Sequence, residues 1–302
     1  MKAELASRKQ ALDVLAMGML VVLCASWGLQ QVAIKVTNPG VPPLLQAGIR
    51  SAGSAIMLWL WMALRREPFL KRDGTLGWGI VTGLLFAGEF ILIYWGLEFT
   101  NASRAVVFLY MAPFVVALGA QLFVPGERLR VIQVIGLCGA FAGIVVAFSE
   151  SLSSPSFRML IGDGMLAAAA VLWGATTVMI RATPLAQIPA GKTLLYQLLV
   201  SAVVLPLGSL LKGEGGVVRM TPLIMGSLAY QIIWVAFITY LAWFWLLRRY
   251  PPSRLASFTF LTPLFGVLAG GLLLNEPLTS MLVLALVLVG SGIYLVNRPG
   301  AA

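Results

Sequence analysis

The chain contains no histidine, and only two cysteines occur in its 302 residues. A Cys/His zinc site, a His-based catalytic triad and a haem with a histidine ligand are therefore excluded. Cys24 and Cys138 sit inside apolar runs, so they read as small packing residues rather than a disulfide framework. Charge is equally scarce: 11% of residues are charged, against about a quarter in soluble domains. No glycine-rich phosphate-binding segment of the Walker type is present, which removes direct coupling to ATP. The loops between apolar runs are short and leave no room for a soluble domain.

What remains is apolar. Hydrophobic residues make up 60% of the chain, and the mean hydropathy is +0.93. A protein of this length cannot hide so much apolar surface from water, so lipid must be its solvent. Breaking the runs at charge clusters and Pro/Gly loops predicts ten spanning helices. They fall at roughly 13–34, 44–64, 75–97, 104–124, 131–148, 162–180, 193–211, 221–246, 255–274 and 279–296. The first run continues at spanning length without a small-residue cleavage site, so it is expected to be a retained helix.

The net charge of +10 is a matter of placement. With the N-terminus inside, alternate loops and ends carry most of the lysine and arginine, including Lys2, Arg8, Arg65, Arg66, Arg128, Arg130, Arg248, Arg249, Arg254 and Arg298. Only Lys35, Arg104, Arg158, Lys212 and Arg219 fall outside. That bias of about three to one predicts both termini in the cytoplasm, and it replaces nucleic-acid binding as the reason for the basic balance.

The chain repeats itself. SRAVVFLYMAP, Ser103 to Pro113, returns as SRLASFTFLTP, Ser253 to Pro263. GMLVVLCASWGLQQVAIKVT, from Gly18, returns as GMLAAAAVLWGATTVMIRAT, from Gly164, with Trp27-Gly28 matched to Trp173-Gly174. Glu127 and Gly143 correspond to Glu276 and Gly292. Each copy holds five spans. An odd number forces the second copy to start on the opposite side, so the copies, residues 1–150 and 151–302, are expected to be inverted repeats. That plan recurs in secondary transporters, where two near-equivalent halves expose one site alternately to each side.

These features resemble the drug/metabolite transporter superfamily and its EamA-like family, and are most similar to the YddG-type exporters of aromatic and other amino acids. The resemblance covers nearly the whole chain. It implies a bacterial inner-membrane protein and a monomeric, basket-like fold of ten helices. In that fold the third, fourth, eighth and ninth helices surround a central cavity, and the fifth and tenth pack behind. It implies a secondary carrier rather than an enzyme. The expected partners are a small-molecule substrate and membrane lipid, with no nucleic acid, cofactor or metal.

Candidate site residues follow from polarity and aromaticity inside the spans. Glu89 lies deep in span three, where a carboxyl is costly and reads as substrate-amine recognition or proton coupling, or else as a structural pair with Arg50 at similar depth. Trp27, Trp173, Phe237 and Tyr240 are the deeper aromatics. Tyr94, Tyr110 and Phe258 lie on spans three, four and nine, and together such rings suit a planar, partly apolar ligand. Gln30 and Thr177, with Gln31 and Thr176, follow the Trp-Gly pairs and supply hydrogen-bonding groups. Trp61, Trp78 and Trp95, near span ends, read as interfacial belt residues. Pro113 and Pro263 each remove a backbone donor within a helix, so kinks and a gating role are expected there. Glycines at GxxxG spacing, Gly79/Gly83, Gly139/Gly143 and Gly266/Gly270, read as close helix contacts.

Other functions fit the sequence less well. A carrier of phosphorylated or nucleotide-linked metabolites would want paired basic residues deep in the cavity, and Arg50 is the only clearly embedded one. An intramembrane enzyme would need a clustered catalytic set. A passive channel fits the inverted repeat poorly.

Overall fold

A backbone in lipid has no water to bond, so it closes its own hydrogen bonds as helix. The structure, a computed structural model, describes residues 11–67, 73–275 and 281–298. Among these every regular element is helical. Glu276, matched above to Glu127, lies outside the described residues, as do Lys2, Arg8, Lys9, Lys71 and Arg72.

Among the described residues, eight helices are long and apolar enough to cross a membrane. They are α1 (Val14–Thr37), α2 (Pro43–Leu64), α3 (Leu76–Gly96), α4 (Ala102–Phe123), α6 (Phe157–Ala182), α7 (Ala190–Lys212), α8 (Pro222–Arg249) and α9 (Pro252–Leu274). Between and after them lie two shorter apolar helices, α5 (Val131–Ala147) and α10 (Met281–Asn297). Each has 17 residues, about 25 Å at ~1.5 Å per residue, short of a hydrocarbon core of ~30 Å. The protein is a multi-pass membrane protein. Its helices wear apolar side chains outward: Leu211 is 86% exposed and Leu122 72%, as suits contact with lipid.

Helix ends follow local chemistry. The side chains of Asp13, Asn101, Ser156 and Thr221 each accept a backbone N–H of the first turn of α1, α4, α6 and α8, which satisfies donors the helix cannot. At the end of α7, Gly213 takes φ 76° and turns the chain so that Glu214 reaches α2. There its carboxylate accepts the amides of Leu44 and Leu45 at 3.2 and 3.1 Å, an anion on a helix N-terminus.

Packing is set by glycines. A Cβ on Gly28 would fall 2.7 Å from the Cβ of Phe265, and one on Gly174 would fall 2.5 Å from the Cβ of Val115. The Trp-Gly pair of each half therefore seats the other half's proline-bearing helix, α9 on α1 and α4 on α6, just beyond Pro263 and Pro113. On Gly292 a Cβ would lie 2.4 Å from the carbonyl oxygen of Gly136, which locks α5 to α10. Gly79 and Gly83 face Tyr196 and Val200 of α7, so that GxxxG pair works within the chain. Gly139 has nothing within 4 Å; α5 packs through Gly136 and Gly143 instead, a spacing of two turns.

The prolines fall where the helices break. Regular α-helix stops at Leu109 and resumes at Ala112, with Pro113 in the resumed first turn. It stops again at Phe258 and resumes at Leu261, with Pro263 in the same setting. Two irregularities carry no repeat signal: Pro206 inside α7 and a π-helical stretch, Tyr230–Thr239, in the middle of α8.

Replacing Gly28 or Gly174 by alanine forces two helices apart. Each change should destabilise by about 1–3 kcal/mol, seen as a lower melting temperature of the detergent-purified protein, whereas Gly139→Ala should leave it unchanged. An unaltered melting temperature for Gly174→Ala would contradict the close seat.

Candidate functional site

The expected site residues form two groups. In the first, Trp27 of α1 donates its indole N–H to the Thr239 hydroxyl of α8 at 2.9 Å. The π-helical stretch ends at Thr239, so the widened turn sets this acceptor opposite α1. Trp27 also meets Tyr240 and Trp243 edge-on, with ring centroids 6.2 and 5.5 Å away. The row continues onto α3: Tyr240 meets Phe86 at 6.1 Å, Phe86 meets Phe90 at 5.1 Å, and Phe90 stacks on Tyr94 at 6.3 Å. Such ring contacts each contribute about 0.5–1.5 kcal/mol beyond buried area.

Arg50 of α2 lies against this row, its guanidinium 4.7 Å from the Phe90 centroid. Glu89 is buried beside it and within electrostatic reach of Arg50, Tyr110 and Tyr240. Although similar depth allows a pair, no direct salt bridge joins Arg50 and Glu89; the guanidinium rests on the Phe90 ring instead. All three guanidinium nitrogens lack a hydrogen-bond partner.

The second group is centred on α4 and α6. Tyr110, at the break of α4, meets Trp173 edge-on at 5.8 Å. A narrow crevice there is lined by Pro113, Trp173, Thr177, Trp243, Ala256 and Thr259. The hydroxyls of Thr176 and Thr177 donate back to the carbonyls of Leu172 and Trp173, which leaves their oxygens as acceptors. Gln30 is buried in α1, Phe237 half-buried in the π stretch. Phe258 is buried where its carbonyl accepts the Cys24 thiol, so it belongs with the helix packing of α9. Pro263 is buried near the start of the resumed α9 helix. Trp95 does not present its indole N–H at an interface: that atom is buried without a partner, and the residue packs against the cluster of Leu44, Ala47, Ala87 and Leu205.

Arg50 is not the only embedded cation. Arg104, Arg181, Lys192 and Arg254 are also buried, but all at helix ends and all with partners. Arg104 forms a bidentate pair with Asp163 of α6 and donates to the Ser151 carbonyl at 2.9 Å. Thr100 donates to the same carboxylate at 2.9 Å. Its repeat counterpart Arg254 donates to the Asn297 carbonyl at 3.3 Å, and the neighbouring Ser253 hydroxyl to Glu127 at 3.2 Å. Both Ser-Arg segments thus dock the start of a helix. Sequence reasoning missed Asp163, although a lone carboxylate in the run IGDGM is the kind of costly residue that asks for a named partner.

At the end of the bundle where α1 starts, Lys192 of α7 donates to Asp73 at 2.7 Å. The Thr75 hydroxyl donates to Asp73 at 2.6 Å and lies 3.2 Å from the Tyr196 hydroxyl. These contacts tie α3 to α7.

With this geometry in place, comparison with known proteins separates the classes left open. The profile of the EamA-like transporter family matches residues 14–149 and again 160–298. The chain belongs to the EamA-like transporter family. A relative from Escherichia coli (strain K12), named "Probable amino-acid metabolite efflux pump", is 31% identical over 96% of this chain and 95% of its own length. "Uncharacterized transporter YvbV" of Bacillus subtilis (strain 168) is 28% identical over 94% of this chain and 92% of its own. One solved crystal structure shares the fold, with a TM-score of 0.78 at 20% identity over 91% of this chain and 94% of that one. As a member of this family the protein is a transporter with a small-molecule substrate, not an enzyme.

The Lys192 hydrogen bond, aided by Thr75, holds the Asp73 carboxyl below its ordinary range, at about 2. A lowered folded-state pKa adds stability above the unfolded value of ~3.9, lost as pH falls toward the folded value. The melting-temperature gap between wild type and Asp73→Asn should therefore stay constant from about pH 8 to 5 and narrow below about pH 4. A gap that varies between pH 8 and 5 would contradict the assignment.

Proposed function

We propose that the protein is a secondary transporter that exports amino acids, aromatic ones included, across a bacterial inner membrane by alternating access. In this reading α1–α5 and α6–α10 are inverted repeats, residues 1–150 and 151–302, and all ten helices span. The monomer places both termini in the cytoplasm. The two family matches in tandem support the repeat. So does the pairing of contacts: α1 with the resumed part of α9 answers α6 with the resumed part of α4, while α2 with α7 and α5 with α10 are each their own counterpart. The basic-residue bias supports the orientation.

The observation that carries the substrate reading is the mid-span meeting of Glu89, Arg50 and the aromatic row. An ammonium, a carboxylate and an apolar side chain each find a complement there, and a relative's name, "Probable amino-acid metabolite efflux pump", points the same way. Pro113 and Pro263, at the breaks of α4 and α9, are the proposed gating positions. Trp27, Gln30, Glu89, Tyr94, Tyr110, Trp173, Thr177, Phe237, Tyr240 and Phe258 remain the proposed substrate contacts. Those of the aromatic row and Glu89 are the better supported, because they meet Arg50 at mid-span.

Purified protein in proteoliposomes should accumulate at least one labelled amino acid above protein-free vesicles, tested with and without a proton gradient. Glu89→Gln should lower that rate by about tenfold, equivalent to ~1.4 kcal/mol in the barrier, and flatten its pH dependence. No transport of any amino acid would overturn the reading.

A further inference from the structure

Arg50 is 1% exposed and lies in the interior of α2. Among the described buried basic residues its side chain alone makes no hydrogen bond: Nε, Nη1 and Nη2 are all without an acceptor. The carboxylates near it do not fill the gap. Glu214 is committed to the amides that open α2 and to the Ser209 hydroxyl at 2.6 Å. Glu89 reaches Arg50 electrostatically but forms no ion pair with it. The Ser54 hydroxyl takes up the Arg50 backbone carbonyl at 2.7 Å and offers the side chain nothing. The guanidinium carbon lies over the Phe90 ring, and all the guanidinium's donors remain unspent.

A planar fork of N–H donors on a fixed charge matches a carboxylate through two parallel hydrogen bonds. A buried charge without such a partner is destabilising, so a ligand that supplies one is favoured. One guanidinium balances one negative charge, so a singly charged acid suits the site better than a phosphate dianion, whose second charge would be left buried without a counter-charge. Phe90 and Tyr94, stacked at 6.3 Å, and Tyr240, within electrostatic reach of Arg50, offer apolar ring surface near the guanidinium.

We infer that Arg50 is the carboxylate-recognition residue of the transport site, reading the acid group of a small substrate whose apolar part lies on Phe90, Tyr94 and Tyr240. This rests on the protein being a carrier of small metabolites, and it names the group by which they are selected.

The test uses full-length protein in nanodiscs and four probes: phenylalanine, 3-phenylpropanoate, which lacks the amine, phenethylamine, which lacks the acid, and phenyl phosphate. Wild type should bind both carboxylates at least about tenfold more tightly than phenethylamine, the scale of one charge-assisted pair. Arg50→Gln should abolish that preference and Arg50→Lys restore part of it, in preparations that stay monodisperse. The wild-type comparison decides the matter even if the variants do not fold. Phenethylamine binding as tightly as phenylalanine, phenyl phosphate binding tighter than either carboxylate, or an unchanged preference in folded Arg50→Gln would each overturn the inference. Arg50-dependent binding of 3-phenylpropanoate without transport of any amino acid would sink the amino-acid reading and leave this one standing. If neither carboxylate binds, this inference falls whatever the vesicles accumulate.

Discussion

A cation removed from water needs an acceptor, and the helices of this protein are arranged around that requirement. Removing one partner of a fully buried ion pair such as Arg104 with Asp163 costs about 3–5 kcal/mol, less where a partner is partly exposed or a neutral carbonyl, and each such contact fixes the elements that carry it. Arg104 with Asp163 holds the start of α4 against α6, Lys192 with Asp73 holds the start of α3 against α7, and Arg254 holds the start of α9 against the end of α10. These contacts sit at the ends of the bundle, where lipid gives way to water. The exception lies in the middle. Arg50 has an aromatic ring and a carboxylate close by, but no acceptor on any nitrogen. In a fold that satisfies its other described buried cations, that exception is the reason to look for function there.

The apolar framework makes the exception tolerable. Lipid offers helices no hydrophobic reason to associate, so contact depends on backbones coming close. Gly28 and Gly174 permit this at matched places in the two halves, and each seats the part of α9 or α4 that follows a break. A proline in the first turn of a resumed helix leaves an upstream carbonyl free, a defect accepted in membranes only where protein or a cavity surrounds it. The breaks at Tyr110 and at Thr259 are indeed buried. Each break thus has a tight seat on one side and an interrupted hydrogen-bond ladder on the other.

Much of this was legible in the sequence. Helix positions follow from apolar run length, because lipid leaves the backbone a single option, and the observed bounds lie within a few residues of the expected ones. Aromatic residues such as Trp27 and Tyr240 stood out because depth in a span separates them from interfacial rings. Other features were hidden for physical reasons. The π-helical stretch of α8 has no compositional mark, since YQIIWVAFIT would suit an α-helix equally well, and it decides which residue Trp27 finds. Pairings such as Arg104 with Asp163 join residues far apart in the chain, and only their charge hints at them. Arg50 was visible as a costly residue; its lack of a partner was not, because satisfaction is a property of neighbours in space. Trp95 misled for the same reason: nearness to a helix end does not say which way an indole faces.

In the proposed transport cycle the two halves move about a charged, aromatic core so that it opens to one end of the bundle at a time. Distances between spin labels measure this directly, with Cys24 and Cys138 replaced, one label pair on Ala102 and Leu273 and the other on Arg128 and Arg249. Adding a transported substrate at saturation should shift the two distances in opposite senses, one end widening as the other narrows. Two distances that change in the same sense, or that both stay fixed while transport proceeds, would contradict the account.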